Sequence, residues 1–183
     1  MSQSVDKEII KLMKSEQTYE RAFKLLLTEY SERLYWHIRK MVINHDDADD
    51  VLQDTFIKIF QGFHNFRGDS SLFTWLYRIA TNETLTFLEK KKKQLTHSDN
   101  DYKNYIMQNL YSESDFSGDE IQKKLQLAIQ ELPERQRLVF NMKYFDNMKF
   151  KEIANILQVS VGALKASYFH AVNKIENYLK NSD

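Results

Sequence analysis

The sequence has no cysteine, and only one proline and four glycines among its 183 residues. Without cysteine the chain can form neither disulfide bonds nor thiolate metal sites, which suits a reducing compartment. Proline and glycine are the residues that most often interrupt helices, so their scarcity predicts helices almost throughout. With 42% hydrophobic and 13% aromatic residues, the chain can still bury a packed core. We therefore expect an all-α globular protein.

Long hydrophobic runs are also absent from the sequence. No stretch approaches the ~18 uninterrupted apolar residues that suggest a membrane-spanning helix. The amino-terminal run MSQSVDKEIIKLMKSEQ lacks the continuous apolar segment of a signal peptide. We expect a cytoplasmic protein without membrane insertion.

The chain has no net charge, because 26 basic residues balance 26 acidic ones. Proteins that bind nucleic acid on their own usually carry a basic excess, so the total by itself disfavours that class. The distribution is uneven, however. Residues 1–93 contain 15 basic and 14 acidic side chains, residues 94–120 contain 1 and 6, and residues 121–183 contain 10 and 6. An acidic segment thus separates a near-neutral part from a mildly basic part.

The residue patterns of common enzyme sites are missing too. There is no Gly-rich phosphate loop and no HExxH pair, and the five histidines are scattered. The residues nearest to a metal-ligand set are His37, His45, Asp46 and Asp47. Their spacing matches no established metal site. We expect neither an enzyme nor a bound cofactor or metal.

An acidic, amphipathic helix is predicted over residues 46–63, with Asp46 or Asp47 as its N-cap. Its apolar positions recur at steps of three and four and predict a buried stripe. They are Ala48, Leu52, Phe56, Ile59, Phe60 and Phe63. The opposite face is mostly polar and consists of Asp50, Gln53, Asp54, Ile57 and Gln61. Such charges usually mark a solvated surface, and a partner contact is the alternative.

The loop HNFRGDSS follows, and then an aromatic helix that begins after Ser70 or Ser71. Its predicted core stripe is Phe73, Leu76, Tyr77, Ala80, Thr84, Phe87 and Leu88. This phase places Trp75, Ile79, Asn82 and Thr86 on the far side. A tryptophan and an asparagine away from the core are unusual for an ordinary helix surface, although the loop by itself could be a plain connection.

Residues 94–118 are polar and acidic without a sustained period, which predicts a flexible linker, in which the run YIMQNLY could form a transient turn of helix. Beyond it, a short helix over residues 150–157, a turn, and a longer helix capped by Ser160 form the pattern of a helix-turn-helix. Four short helices can also be purely structural. The last helix should bury Val161, Leu164, Tyr168, Ala171, Ile175 and Leu179.

Two of these runs resemble a known family. The run DDADDVLQDTFIKIF with FRGDSSLFTWLYRIATN resembles the second conserved region of bacterial sigma factors, closest to the extracytoplasmic-function (ECF) group. The run LPERQRLVFNMKYFDNMKFKEIANILQVSVGALKASYFHA resembles the fourth region of the same group. The resemblance implies two small helical domains, at residues 1–93 and 121–183, which the linker of residues 94–120 joins.

The resemblance also implies three binding surfaces. The residues expected to bind a coiled coil on the clamp of core RNA polymerase are Asp50, Gln53, Asp54 and Ile57. Those expected to hold single-stranded DNA of the minus-ten element are Phe66, Arg67, Gly68, Asp69, Ser70, Trp75, Arg78 and Asn82. Those expected to read duplex DNA at the minus-thirty-five element are Lys165, Ala166, Ser167, Phe169 and His170.

The sequence departs from the family pattern at two places. Primary sigma factors carry two adjacent aromatic residues that wedge DNA open, whereas Trp75 is followed here by Leu76, which implies weaker strand separation. In the last helix, Lys165, Ala166, Ser167 and His170 stand where the family often has Arg or Ser. Fewer guanidinium groups imply less direct base reading and more reading of DNA shape.

The expected function is therefore that of a sigma factor, which recruits polymerase to promoters and helps to open them. An anti-sigma factor is expected as a further partner, and the chain should be a monomer outside the holoenzyme. The alternative is a two-domain helix-turn-helix regulator that binds DNA tightly without polymerase. That alternative leaves the FRGDSS loop unexplained.

Overall fold

The computed structural model describes residues 3–95, 99–112 and 120–181, and within these ranges the regular structure is entirely helical. The nine α-helices of the described residues are α1 (Gln3–Leu12), α2 (Tyr19–Val42), α3 (His45–Gly62), α4 (Leu72–Leu95), α5 (Asp99–Ser112), α6 (Glu120–Gln130), α7 (Glu134–Tyr144), α8 (Phe150–Leu157) and α9 (Val161–Lys180). Short 3₁₀ helices at Glu16–Thr18 and Phe63–Asn65 precede α2 and follow α3. The all-α prediction is confirmed.

Helices α1 to α4 form an amino-terminal bundle around α2. The apolar residues of α2 recur at steps of three and four and are buried, apart from the half-buried Leu25. Two buried tyrosines of α2 form hydrogen bonds to neighbouring elements. The hydroxyl of Tyr30 donates to Asp6 of α1 at 2.6 Å, and the hydroxyl of Tyr19 donates to the carbonyl of Phe60 at 2.6 Å.

Side-chain caps fix where three helices begin. Ser71 accepts from the backbone N–H of Thr74 at the start of α4, and Ser160 accepts from that of Ala163 at the start of α9, as predicted. The predicted cap of α3 is wrong. Asn44 performs this role by accepting from the N–H of Asp47 at 2.9 Å, so α3 begins slightly earlier than expected.

The buried face of α3 differs from the predicted stripe. Ala48 and Ile59 are buried as expected, but Val51 and Thr55 lie beside them in the core, while Phe60 is 48% exposed. Thr55 is tolerated there because its hydroxyl donates to the carbonyl of Val51 at 2.7 Å. The helix is therefore rotated relative to the orientation that its largest apolar residues suggest.

The segment predicted as an irregular linker contains helix α5. Ile106 and Leu110 of α5 are buried against Ile43 at the end of α2, and the hydroxyl of Tyr105 donates to Asp47. The periodicity of this segment is weak, so the sequence predicted no more than a transient turn of helix. Tertiary contacts stabilise the full helix. Residues 96–98 and 113–119, which flank α5, lie outside the described residues.

Helices α6 to α9 form a carboxy-terminal bundle. Pro133 precedes α7, and Phe140 of α7 packs with Ala171 and Ile175 of α9. Between α8 and α9, Gln158 adopts a left-handed conformation with φ 55°, and it ends α8. This turn and the Ser160 cap set α9 across α8 in a helix-turn-helix.

The two bundles share one continuous apolar cluster. Leu138, Val139 and Met142 of α7 belong to the same buried cluster as the core of α2 and α4. Polar contacts surround it, and in one of them the side-chain amide of Asn141 donates to the carbonyl of Lys40. The long linker alone could not have docked the bundles rigidly, so these side-chain contacts set their arrangement.

None of the helices in the described residues is long and apolar enough to span a membrane.

Candidate polymerase and nucleic-acid interfaces

The acidic face of α3 points away from the bundle. Asp50, Gln53 and Asp54 are exposed, and Ile57 is 48% exposed beside them. The buried side of α3 holds the helix rigidly against α2 and α4, so these side chains project from a fixed support. Carboxylates around an exposed apolar residue suit a protein partner with a basic surface and an apolar contact point.

The loop between α3 and α4 is shaped by one glycine. Gly68 has φ 81°, which is the left-handed region that side chains with a Cβ rarely adopt. No other atom would lie within 4 Å of a Cβ built there, so the demand for glycine is conformational rather than steric. The turn leaves Arg67 and Asp69 exposed at its tip, with Ser70 half-buried beside them.

The side chain of Trp75 packs against this loop. Its ring centroid lies 5.2 Å from that of Phe66 and 6.4 Å from that of Phe63. A Cβ built on Gly62 would lie 3.3 Å from the indole ring, so the absence of a side chain there makes room for the tryptophan. Trp75 is therefore half-buried, although the helical phase placed it on the side away from the core.

Arg78 and Asn82 lie on the adjoining part of α4 and face the carboxy-terminal bundle. Both line a cavity of about 390 Å³, which is completed by residues of α7, α8 and α9 that include Ser167. Arg78 Nη2 donates to the carbonyl of Asn155 in α8 at 2.7 Å. The structure thus brings these two residues together, but the residues of the FRGDSS loop do not line this cavity.

The outer face of α9 is largely open. Lys165, Ala166 and His170 are exposed, and Phe169 is 61% exposed. Leu164, Ala171 and Ile175 on the other side are buried and hold the helix in place. The prediction for Val161 is wrong, because this residue in the first turn is 37% exposed. Ser167 is half-buried where it meets the cavity.

The sequence did not reveal a buried polar cluster between the bundles. His37 is 2% exposed, and its Nδ1 lies 3.0 Å from Asp146 Oδ2 while its Nε2 lies 3.0 Å from Thr81 Oγ1. Lys40 donates to the other oxygen of Asp146 at 2.5 Å. Burial by itself raises the pKa of Asp146, but the hydrogen bonds and charges of His37 and Lys40 outweigh it and hold that pKa below its usual value.

His37 and His45, the two histidines nearest to a metal-ligand set in the sequence, lie in different surroundings. His37 is in the cluster with Asp146, whereas His45 contacts Tyr35 and Asp49 at the surface. No group of metal-ligating side chains occurs among the described residues. A local sequence signal for this cluster was lacking, because Asp146 lies 109 positions from His37 and 106 positions from Lys40 in the chain.

Solved structures show the same fold. The structure of CnrH in complex with the cytosolic domain of CnrY matches with a TM-score of 0.70 over 98% of this chain and 99% of that one, at 20% identity. The sigma factor RpoE in complex with the anti-sigma factor NepR from Bartonella quintana matches with a TM-score of 0.66 over 88% of this chain and 98% of that one, at 21% identity.

Sequence comparisons identify both bundles. Residues 26–94 match the family model of sigma-70 region 2, and residues 122–175 match that of sigma-70 region 4. The RNA polymerase sigma-H factor of Pseudomonas aeruginosa is 31% identical over 169 residues, which cover 88% of each chain. The ECF RNA polymerase sigma-E factor of Escherichia coli K12 is 30% identical over 166 residues, which cover 86% of each chain.

An all-helical protein with these two regions and a helix-turn-helix is a transcription initiation factor of the sigma-70 class. The chain belongs to the ECF group of RNA polymerase sigma factors and directs promoter-specific transcription initiation, which is not an enzymatic activity. The alternative of a regulator that acts without polymerase is thereby set aside.

Proposed function

We propose that three separate surfaces of this sigma factor carry out promoter-specific initiation. Residues 1–93 bind core polymerase and the single-stranded minus-ten element, residues 121–183 bind the minus-thirty-five element, and residues 94–120 connect them. The observation that carries this division is the placement of the acidic face of α3, the FRGDSS loop and the outer face of α9 on rigid helices or at their ends.

The acidic face of α3 binds the clamp coiled coil of core polymerase. Asp50, Gln53 and Asp54 supply charge and hydrogen-bond acceptors, and Ile57 supplies an apolar contact that water leaves on binding. Exposure of all four side chains supports this assignment, since no rearrangement of the bundle is needed to reach them. Complementary charge would also speed association with a basic partner.

The loop and the start of α4 hold an unstacked base of the minus-ten element. The left-handed turn at Gly68 presents Arg67 and Asp69 to solvent, and Phe66 with Trp75 offers aromatic surface for stacking. Asn82 carries both a donor and an acceptor, which match the edge of a base. Trp75 is half-buried in the free protein. It therefore supports the loop and presents only part of one ring face to DNA.

The outer face of α9 enters the major groove at the minus-thirty-five element. Lys165 contacts guanine or phosphate, Phe169 packs against thymine methyl groups, and Ala166, Ser167 and His170 complete the surface. The small Ala166 permits close approach of the helix to the groove. With one lysine and no arginine among these residues, DNA shape contributes much of the selectivity.

Two substitutions in α9 should have different effects. We expect Lys165→Ala to lower promoter binding and to reduce the slope of log K against log salt by about 1, because one phosphate contact is lost. Phe169→Ala should instead change base preference at one position with little change of the salt slope. Binding of holoenzyme to promoter variants across a salt series measures both. Unchanged slope and preference in both variants would place the reading surface elsewhere.

The whole proposal is tested by transcription from promoter libraries with core polymerase, with and without this protein. Selected promoters should share two elements at fixed separation. Omission of core polymerase should abolish tight sequence-specific binding, because the chain has no net charge with which to hold DNA alone. Tight specific binding by the free chain would contradict the division of labour.

We further propose an anti-sigma factor as partner, cytoplasmic localisation, and a monomeric state outside the holoenzyme. The relative RpoE was solved with the anti-sigma factor NepR, which supports the first of these. The cytoplasm is where polymerase and promoter DNA are found. Co-purification from cells with and without overproduced core polymerase, followed by light scattering, tests the partner and the monomeric state.

A further inference from the structure

We propose that His37, Lys40 and Asp146 form a latch that holds the free protein closed, with Arg78 engaged by its own carboxy-terminal bundle. This inference rests on the proposed role of Arg78 for its functional consequence, but the latch itself is a statement about conformation. Asp146 belongs to the turn that follows α7, whereas the other two residues lie on α2. The contact therefore joins the two domains directly.

In the latch, each carboxylate oxygen of the buried Asp146 has a hydrogen-bonding partner. Asp146 accepts from Lys40 at 2.5 Å and lies 3.0 Å from His37, and the second ring nitrogen of His37 lies 3.0 Å from the hydroxyl of Thr81 on α4. The side chain of Asp146 is only 9% exposed. Removal of one partner would leave a buried charge without compensation, so the cluster is strongly sensitive to single substitutions.

Closure covers part of the surface proposed for single-stranded DNA. Arg78 donates to the carbonyl of Asn155 at 2.7 Å, so its guanidinium is already engaged by the helix-turn-helix. Asn82 faces the cavity that Ser167 of α9 also lines. Asn82 itself remains exposed, so it is Arg78 that could contact a base only after the carboxy-terminal bundle moves away.

The closed form also cannot read both promoter elements at once. The elements are named for positions about 25 base pairs apart, which is roughly 85 Å along B-DNA at ~3.4 Å per base pair. In the closed form the reading helix α9 and Asn82 line a single cavity. Binding to both elements therefore requires the domains to separate.

Separation has a consequence for helix α5. As a helix, its 14 residues span only about 21 Å, whereas the same residues extended reach roughly 48 Å. Wide separation of the domains thus favours unwinding of α5 and its release from Ile43. The linker helix and the latch open together in this scheme.

The latch is tested by the distance between the domains in the free protein. Because the chain has no cysteine, Lys24→Cys in α2 and Asn177→Cys in α9 provide two exposed and unique sites for spin labels. We expect a narrow distance distribution in the parent. Asp146→Asn, which keeps the side-chain volume, should increase the fraction of longer distances by about threefold or more.

Lys40→Ala is the second variant, because this side chain is partly exposed and its loss should not disrupt folding. Lys58→Ala is the matched control, since it removes an ion pair with Glu83 of the same 2.5 Å length within one domain. Circular dichroism checks that each variant is folded. A parent-like distance distribution in both folded latch variants would overturn the latch.

Binding of single-stranded minus-ten DNA by the free variants separates the two proposals. We expect Asp146→Asn to bind it about threefold or more tightly than the parent, because Arg78 is released from the carbonyl of Asn155. Longer distances with unchanged binding of single-stranded DNA would support the latch and contradict the role proposed for Arg78.

Discussion

Asp54→Lys should weaken binding to core polymerase by roughly tenfold or more, with no loss of helix content or thermal stability. Asp54 is exposed on the rigid face of α3, so the substitution removes no internal contact of the core. A lysine there would face the basic side chains that complement the acidic patch, and juxtaposed like charges in an interface cost several kcal/mol. Quantitative pull-down or surface binding with core polymerase measures the effect.

The control for this experiment is Glu8→Lys, which makes the same charge change at an exposed position of α1. It should bind core polymerase as the parent does, apart from a small change from net charge. The neutral triple variant of Asp50, Gln53 and Asp54 to alanine should also bind weakly. Full affinity in the triple variant would remove the assignment of this face.

Asn82→Ala should slow promoter opening while polymerase binding stays unchanged. The loss of a hydrogen-bonded contact to a base should cost on the order of 1–3 kcal/mol, or roughly 5- to 150-fold, and it should relax preference at one position of the minus-ten element. Asn82 is exposed and lies on the opposite side of α4 from the buried Ala80 and Thr84, so folding should not suffer. Permanganate footprinting of the opened strand measures the rate.

Thr86→Ala provides the matched control for Asn82→Ala. Thr86 is exposed on the same face of α4, about one helical turn further on, and it does not line the cavity with Arg78. The control should open promoters as the parent does. Opening by Asn82→Ala at the parental rate would reject the pocket, and Asn82 would then be an ordinary residue of the helix surface.

The Asn82→Ala substitution also acts on the free protein. There Asn82 lines the cavity shared with the carboxy-terminal bundle, so its replacement alters the closed form as well. Polymerase-bound protein is therefore the appropriate state for the footprinting. Within the holoenzyme the domains must separate to span both elements, and a contribution of Asn82 to closure no longer enters the rate.

Local sequence signals predicted most of the helical framework. The apolar period of three and four residues placed α4, α8 and α9 close to where they are observed, because such periodicity directly determines which face of a helix can be buried. Ser71 and Ser160 were recognisable as caps because a serine before a helix satisfies a free backbone N–H. The family followed from motifs that are contiguous in the sequence.

The tertiary structure alone decided how these elements meet. Helix α5 forms where contacts with Ile43 and Asp47 compensate for a weak local pattern, and α3 rotates until Thr55 is buried and Phe60 is exposed. The cluster of His37, Lys40 and Asp146 joins positions more than 100 residues apart. Periodicity acts over a few turns of one helix, whereas burial and ion pairing between distant segments depend on how whole helices pack, and this is why the sequence determined the helices but not the closed arrangement of the domains.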